Sequence, residues 1–274
     1  MRSQIGCYKR PMATRTPKDR TRAERDAGPA AEAAAPAGVE RIYGLAAALA
    51  AFAVRPEQVL RIAYSERARL PLADMLREAA RRRIAYRELS DEELAQMAGA
   101  VHHEGVCVLA RPRAELGLDE LAARALPRGL IAALDGVDNP HNVGAVLRSA
   151  AFFGVAGLLI ADPKRRVLTS ASRRIAEGGA EHVPQLCCSE LVPALRDLRA
   201  HGLRVIGSDS GRGTPLSELR WPPRCALVLG AEDHGLSKAV RAACDDVVRI
   251  DGSNAVESLN VSVAAGVLFA SYAR

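Results

Sequence analysis

From residue 129 onward, short apolar runs alternate with amphipathic stretches, and the spacing predicts strand and helix in turn. The runs LIAALD (130–135), LLIAD (158–162), HVPQL (182–186), LRVIGSD (203–209), ALVLG (226–230) and VVRID (247–251) read as strands. Helices are expected from Asn142, over 170–177, over 191–200 and from about Ser258 to the end. Several strand runs are apolar throughout rather than alternating, so they belong in a sheet covered on both faces. The expected class is therefore α/β with a mostly parallel sheet and helices on both sides. Ligands of such sheets sit beyond the C-terminal strand ends, which directs attention to the loops after LIAALD, LRVIGSD, ALVLG and VVRID.

The segment before it has a different rhythm. Residues 40–52 have apolar and small side chains at helical spacing, and QVLRIA (58–63) reads as a strand. Residues 71–83 form a helix with Leu72, Met75, Leu76 and Ala79 on one face, and residues 84–87 a strand. Ser90 and Glu93 make a capping-box pair opening a helix through Met97, and GVCVLA (105–110) closes a small α/β module. The expected organisation is a leader over 1–38, this module over 39–112, a linker with mixed charge over 113–128, and the larger domain over 129–274. The leader lacks hydrophobic periodicity and is expected to be disordered.

Composition changes the picture less than charge position does. The net charge of +6 resolves into eight Lys/Arg against four Asp/Glu in residues 1–38, thirteen against thirteen in 39–125, and seventeen against fifteen in 126–274. Most of the excess lies in the leader. Such a tail adds sequence-blind affinity for phosphates, and equally reads as a solvated leader or as sequence before a true start at Met12. No apolar run approaches the roughly 20 residues of a membrane span, and no signal peptide is evident, so a cytoplasmic protein is expected. The six cysteines contain no CxxC pair and are read as reduced and mostly buried. Adjacent His102 and His103 lack metal-site spacing, and no metal is expected.

Three segments carry candidate chemistry. In Asp138-Asn139-Pro140-His141-Asn142-Val143-Gly144, a turn leads to a helix that Asn142 can cap, and Arg148 follows about two turns later, so both side chains can face one cleft. A capped helix with a solvent arginine explains the same residues. In Leu229-Gly230-Ala231-Glu232-Asp233-His234-Gly235, glycines bracket a turn that sets a carboxylate at a strand end; a plain tight turn accounts for it as well. Neither a GxGxxG fingerprint nor a Walker A loop is present, which leaves a nucleotide-dependent α/β enzyme without its phosphate loop. The third segment runs from Ile250 through Ser258-Leu259-Asn260 into an almost wholly apolar helix. That helix needs cover from the core or a second subunit, and its polar entrance needs partners.

In order, spacing and identity these segments resemble the three motifs of the SpoU/TrmH family of RNA 2′-O-ribose methyltransferases. Residues 39–110, with Tyr43-Gly44 and His102-His103-Glu104-Gly105, resemble the ribosomal-protein-like RNA-binding domain that precedes it in many members. The resemblance implies a deep trefoil knot, S-adenosyl-L-methionine as cofactor, an RNA substrate with rRNA favoured over tRNA, and a homodimer. It assigns catalysis to Asn142, Arg148, Glu232, Ser258 and Asn260, and cofactor binding to Leu229, Gly230, Ala231, Ile250 and Leu259. A guanidinium is a poor base. Arg148 is therefore expected to clamp a phosphate and stabilise the developing alkoxide, with Asn142 orienting Arg148 or the ribose and Glu232 holding the network in register. The competing reading is a catalytically inactive RNA-binding or ribosome-assembly protein of the same fold.

Overall fold

The computed structural model describes residues 38–114, 116–162, 168–253 and 255–274. All of the leader except Gly38 lies outside them.

Strand β1 (Glu40–Tyr43), helix α1 (Leu45–Val54), strand β2 (Val59–Tyr64), helices α2 (Glu66–Arg69) and α3 (Ala73–Arg81), strand β3 (Ala85–Glu88), helix α4 (Asp91–Ala98) and strand β4 (Val106–Ala110) build the first sheet, in the order β1-β4-β2-β3. The helix expected over 40–52 is corrected: its first residues are strand. Gly44, at φ 96, turns the chain into α1 with a backbone that side-chain-bearing residues avoid. The capping box forms as expected: Ser90 Oγ accepts from Glu93 N, and Glu93 Oε2 from Ser90 N. Helices α1 to α3 bury Ile62, Leu72, Met75 and Ala79 against one sheet face, and α4 buries Tyr43, Ala63 and Cys107 on part of the other. His103 is a structural turn residue, buried, with Nδ1 accepting from Gly105 N at 3.1 Å. Burial, followed by Arg67, holds its pKa below the usual histidine value.

The stretch expected to be a linker folds into helix α5 (Leu118–Ala123), and Leu121 and Ala122 are buried in the core of the second sheet. Strands β5 (Gly129–Asp135), β6 (Gly157–Ile160), β7 (Gln185–Cys187), β8 (Arg204–Asp209), β9 (Thr214–Pro215), β10 (Arg224–Gly230) and β11 (Asp246–Arg249) make that sheet, parallel in every pairing, in the order β7-β6-β5-β10-β8-β11-β9. Along β5, Leu130, Ala132 and Leu134 face α6 (Pro140–Phe152) and α11 (Val261–Ala273). Ile131 and Ala133 face α5, α9 (Leu191–Ala200) and α10 (Lys238–Ala243). Both faces being covered is why the strand runs are continuously apolar, and each fully buried Leu or Ile contributes about 1.5–3 kcal/mol. Helix α7 (Ser170–Ile175) matches expectation, while α8 (Gly179–His182) occupies the start of the stretch read as a strand at 182–186.

The five described cysteines are not joined in disulfides. Only Cys107 and Cys225 are buried, which corrects the expectation that most would be, and burial raises each thiol to about 12.

Candidate functional site

A cavity of about 800 Å³ opens beyond the C-terminal ends of β8, β10 and β11, where a parallel sheet leaves strand-end backbone open to a ligand. Its floor is the turn after β10. Ala231 pairs with Gly235 across that turn, and a Cβ on Gly230 would lie 2.3 Å from the Gly235 carbonyl carbon. Only glycine lets the two backbones pass so closely. The turn is anchored from β5, since Asp135 Oδ2 accepts from Ser237 N at 2.7 Å at the start of α10.

Leu229, Gly230, Ala231, Ile250 and Leu259 all line the cavity, as do Glu232 and Ser258. Asn260 sits at the entrance of α11 as its N-cap, its Oδ1 accepting from Ser262 N at 2.9 Å and Ser262 Oγ at 2.5 Å. Its amide group donates to Asn142 Oδ1 at 3.1 Å and to Glu232 Oε1, which also accepts from Val261 N at 3.4 Å. One asparagine side chain thus ties together the three segments singled out in the sequence. The cap of α6 is corrected: Asn139 is the N-cap, its Oδ1 accepting from His141 N at 2.9 Å, and this frees the buried Asn142 to face Asn260.

Arg148 stands apart. It does not line the cavity; its half-exposed guanidinium pairs with Glu177 Oε1 at 3.3 Å. Within one chain the structure brings Asn142, Glu232, Ser258 and Asn260 together and leaves Arg148 paired with Glu177. The sequence reading also passed over Asp209 and Arg241, which pair across the cavity wall. Burial would raise the Asp209 pKa, but the Arg241 hydrogen bond and the amides of Gly211 and Arg212, each at 2.8 Å, hold it below the usual carboxylate range. The signal available was the strand-end Asp209 followed by the glycine-rich turn 210–213. No group of three or more metal-ligating side chains occurs among the described residues, and none of their helices is long and apolar enough to cross a membrane.

Residues 129–270 match the SpoU rRNA Methylase family, and residues 41–116 match the RNA 2′-O ribose methyltransferase substrate binding family. The chain is 37% identical over 234 residues to the uncharacterized tRNA/rRNA methyltransferase YfiF of Escherichia coli O157:H7, covering 85% of this chain and 68% of that protein. It is 36% identical over 221 residues to an uncharacterized tRNA/rRNA methyltransferase of Mycobacterium avium, strain 104, covering 80% and 72%. The SpoU methyltransferase AviRb from Streptomyces viridochromogenes, solved in complex with the cofactor AdoMet, has the same fold, with a TM-score of 0.73 and 22% identity over 87% of this chain and 90% of that one. An rRNA methyltransferase from Sinorhizobium meliloti superposes with a TM-score of 0.68 at 17% identity, covering 86% of each chain.

Proposed function

Because the chain belongs to the SpoU rRNA Methylase family, we propose that it methylates a ribose 2′-hydroxyl of RNA, rRNA ahead of tRNA, using S-adenosyl-L-methionine in the cytoplasm. The observation that carries this reading is the Asn142–Asn260–Glu232 network at the edge of the cavity. The cavity suits the cofactor. Leu229, Ile250 and Leu259 offer apolar walls for a purine, Gly230 exposes main chain, and Asp209, Arg241 and Arg249 offer charges of both signs to a zwitterionic amino-acid end. The cofactor supplies an electrophilic methyl group on a sulfonium.

The chain's own residues then have to hold the ribose in line and steady its oxygen as the proton leaves. Alignment of this kind is worth roughly 7–11 kcal/mol of a barrier. Asn142 orients the ribose, with Asn260, Glu232 and Ser258 holding it in register. Arg148 supplies the positive charge for a flanking phosphate and the developing alkoxide. Since Arg148 does not line the cavity of its own chain and pairs with Glu177, the reading includes a homodimer in which Arg148 of one copy serves the cavity of the other. It also includes a deep trefoil knot around the three lining loops, and the division into an RNA-binding module (39–112), a connection (113–128) and a methyltransferase domain (129–274).

The test has two parts. Titration calorimetry with S-adenosyl-L-methionine should give saturable binding that Arg148→Ala leaves within about twofold. Nucleoside mass spectrometry, run separately on rRNA and tRNA from cells with and without the gene, should lose one 2′-O-methyl nucleoside, which the Arg148→Ala gene fails to restore. Absence of cofactor binding would favour the inactive RNA-binding alternative, and full restoration by Arg148→Ala would refute the role given to it.

A further inference from the structure

The first sheet carries a basic face that the site described above does not use. In register across it, Arg41 opposes Leu109, Leu109 opposes Arg61, and Arg61 opposes Ala85; the next row on the same face is Tyr43, Cys107, Ala63 and Arg87. Residues paired in register project to one face, and two-residue steps along a strand return to it. Arg111, two residues beyond Leu109, therefore continues the same face. One arginine comes from each of β1, β2 and β3, and the fourth from the residue just past the end of β4.

Helix α4 covers only part of this face, packing over Tyr43, Ala63 and Cys107. It begins past the Tyr64 end of β2, where Leu89 N donates to Tyr64 O, so its acidic first turn starts away from Arg61. Arg61 and Ala85, in the row of half-buried Leu109, are exposed, as are Arg111 beyond them and Arg87 at the β3 edge of the next row. The opposite face behaves differently: there Arg69, Arg77 and Arg81 are each paired with a carboxylate. Arg61, Arg87 and Arg111 have no ion-pair partner among the described residues. Arg87 and Arg111 lie two residues on from Ala85 and Leu109, the two residues in register with Arg61, so the three arginines run diagonally across the face, as contacts to one extended phosphate backbone require.

We propose that this open sheet face holds the sugar–phosphate backbone of single-stranded RNA, with Arg61, Arg87 and Arg111 as its phosphate contacts. The proposal rests on the RNA methyltransferase reading and adds the surface that grips the substrate away from the cavity. Guanidinium forks match phosphate oxygens in pairs, and such contacts position a strand without reading its sequence.

The experiment uses the full chain and a fluorescein-labelled, mixed-sequence single-stranded RNA of about 30 nucleotides, followed by anisotropy across a salt series. Arg61→Gln/Arg87→Gln/Arg111→Gln should weaken binding at least tenfold at low salt. It should also lower the slope of log affinity against log salt by about 2, from roughly 0.7 per lost phosphate contact on a single strand. Arg69→Gln/Arg77→Gln/Arg81→Gln removes the same charge from the other face and should change affinity less than twofold. Cofactor binding by calorimetry should stay unchanged in both, which separates loss of this surface from failure of the methyltransferase reading. Equal losses in the two triple variants, an unaltered salt slope, or binding of phosphatidylserine vesicles without binding of RNA would overturn the proposal.

Discussion

Asn260 does two jobs with one amide: its oxygen caps α11 and its nitrogen joins Asn142 to Glu232. Removing the cap costs about 1 kcal/mol, and leaving buried Asn142 short of a partner adds about 1–3 kcal/mol. Asn260→Ala should therefore lower the urea midpoint at constant slope by an amount equivalent to about 2–4 kcal/mol. A loss below about 0.5 kcal/mol would show that the network adds nothing to stability. The residue was legible in the sequence, because a polar pair opening an apolar helix requires partners. Which partners they are was not, since Asn142 and Glu232 lie 118 and 28 positions away. The mistaken cap at Asn142 had an available remedy: Pro140 is suited to the first helical position, which makes the preceding Asn139 the cap.

Among the elements, those defined by continuous apolar runs were legible, and those defined by a turn or by docking were not. Gly44 divides a stretch of helical composition into β1 and α1, and α5 is too short to show a period, revealing its apolar side only when Leu121 meets β6. The same holds for a buried ion cluster that α1, α8 and β1 build together. Arg55 donates to Glu181 at 2.9 and 3.1 Å and to Glu40 at 2.9 Å, and Arg113 donates to Glu181 at 2.6 Å. Burial alone would raise the Glu181 pKa, but Arg55 and Arg113 more than offset it, so the carboxyl sits below its ordinary 4.5. A depressed carboxylate contributes stability that is complete above about 4.5 and is lost as the pH falls through the lower folded-state value. Glu181→Gln should destabilise the protein by about 3–5 kcal/mol at pH 7, by leaving buried guanidinium charge uncompensated. It should also flatten the decline in urea midpoint between pH 5 and 3; a variant with the wild-type pH dependence would exclude Glu181 as its source.

At the scale of the whole molecule, α6 and α11 pack together and still leave apolar surface outside, with Phe152 82%, Val263 51% and Val267 38% exposed. Val263 and Val267 are four residues apart, hence on one side of α11. Light scattering after size exclusion is expected to give twice 29.2 kDa for the wild type and a shift toward 29.2 kDa for Val263→Glu/Val267→Glu. A wild type already at the lower mass would remove the dimer and, with it, the route of Arg148 to a cavity. By itself the sequence determined the strands built from continuous apolar runs, the helices with a clear apolar period, the α/β class and the three loop segments to search, because continuous burial and bracketing glycines leave local marks. Only the tertiary structure decided that Asn260 bridges Asn142 and Glu232, that Arg148 pairs with Glu177, that Arg55 meets Glu181, and that three unpaired arginines share one open face. Each of those depends on strand register and docking between residues distant in the chain, and no local pattern encodes a distance in space.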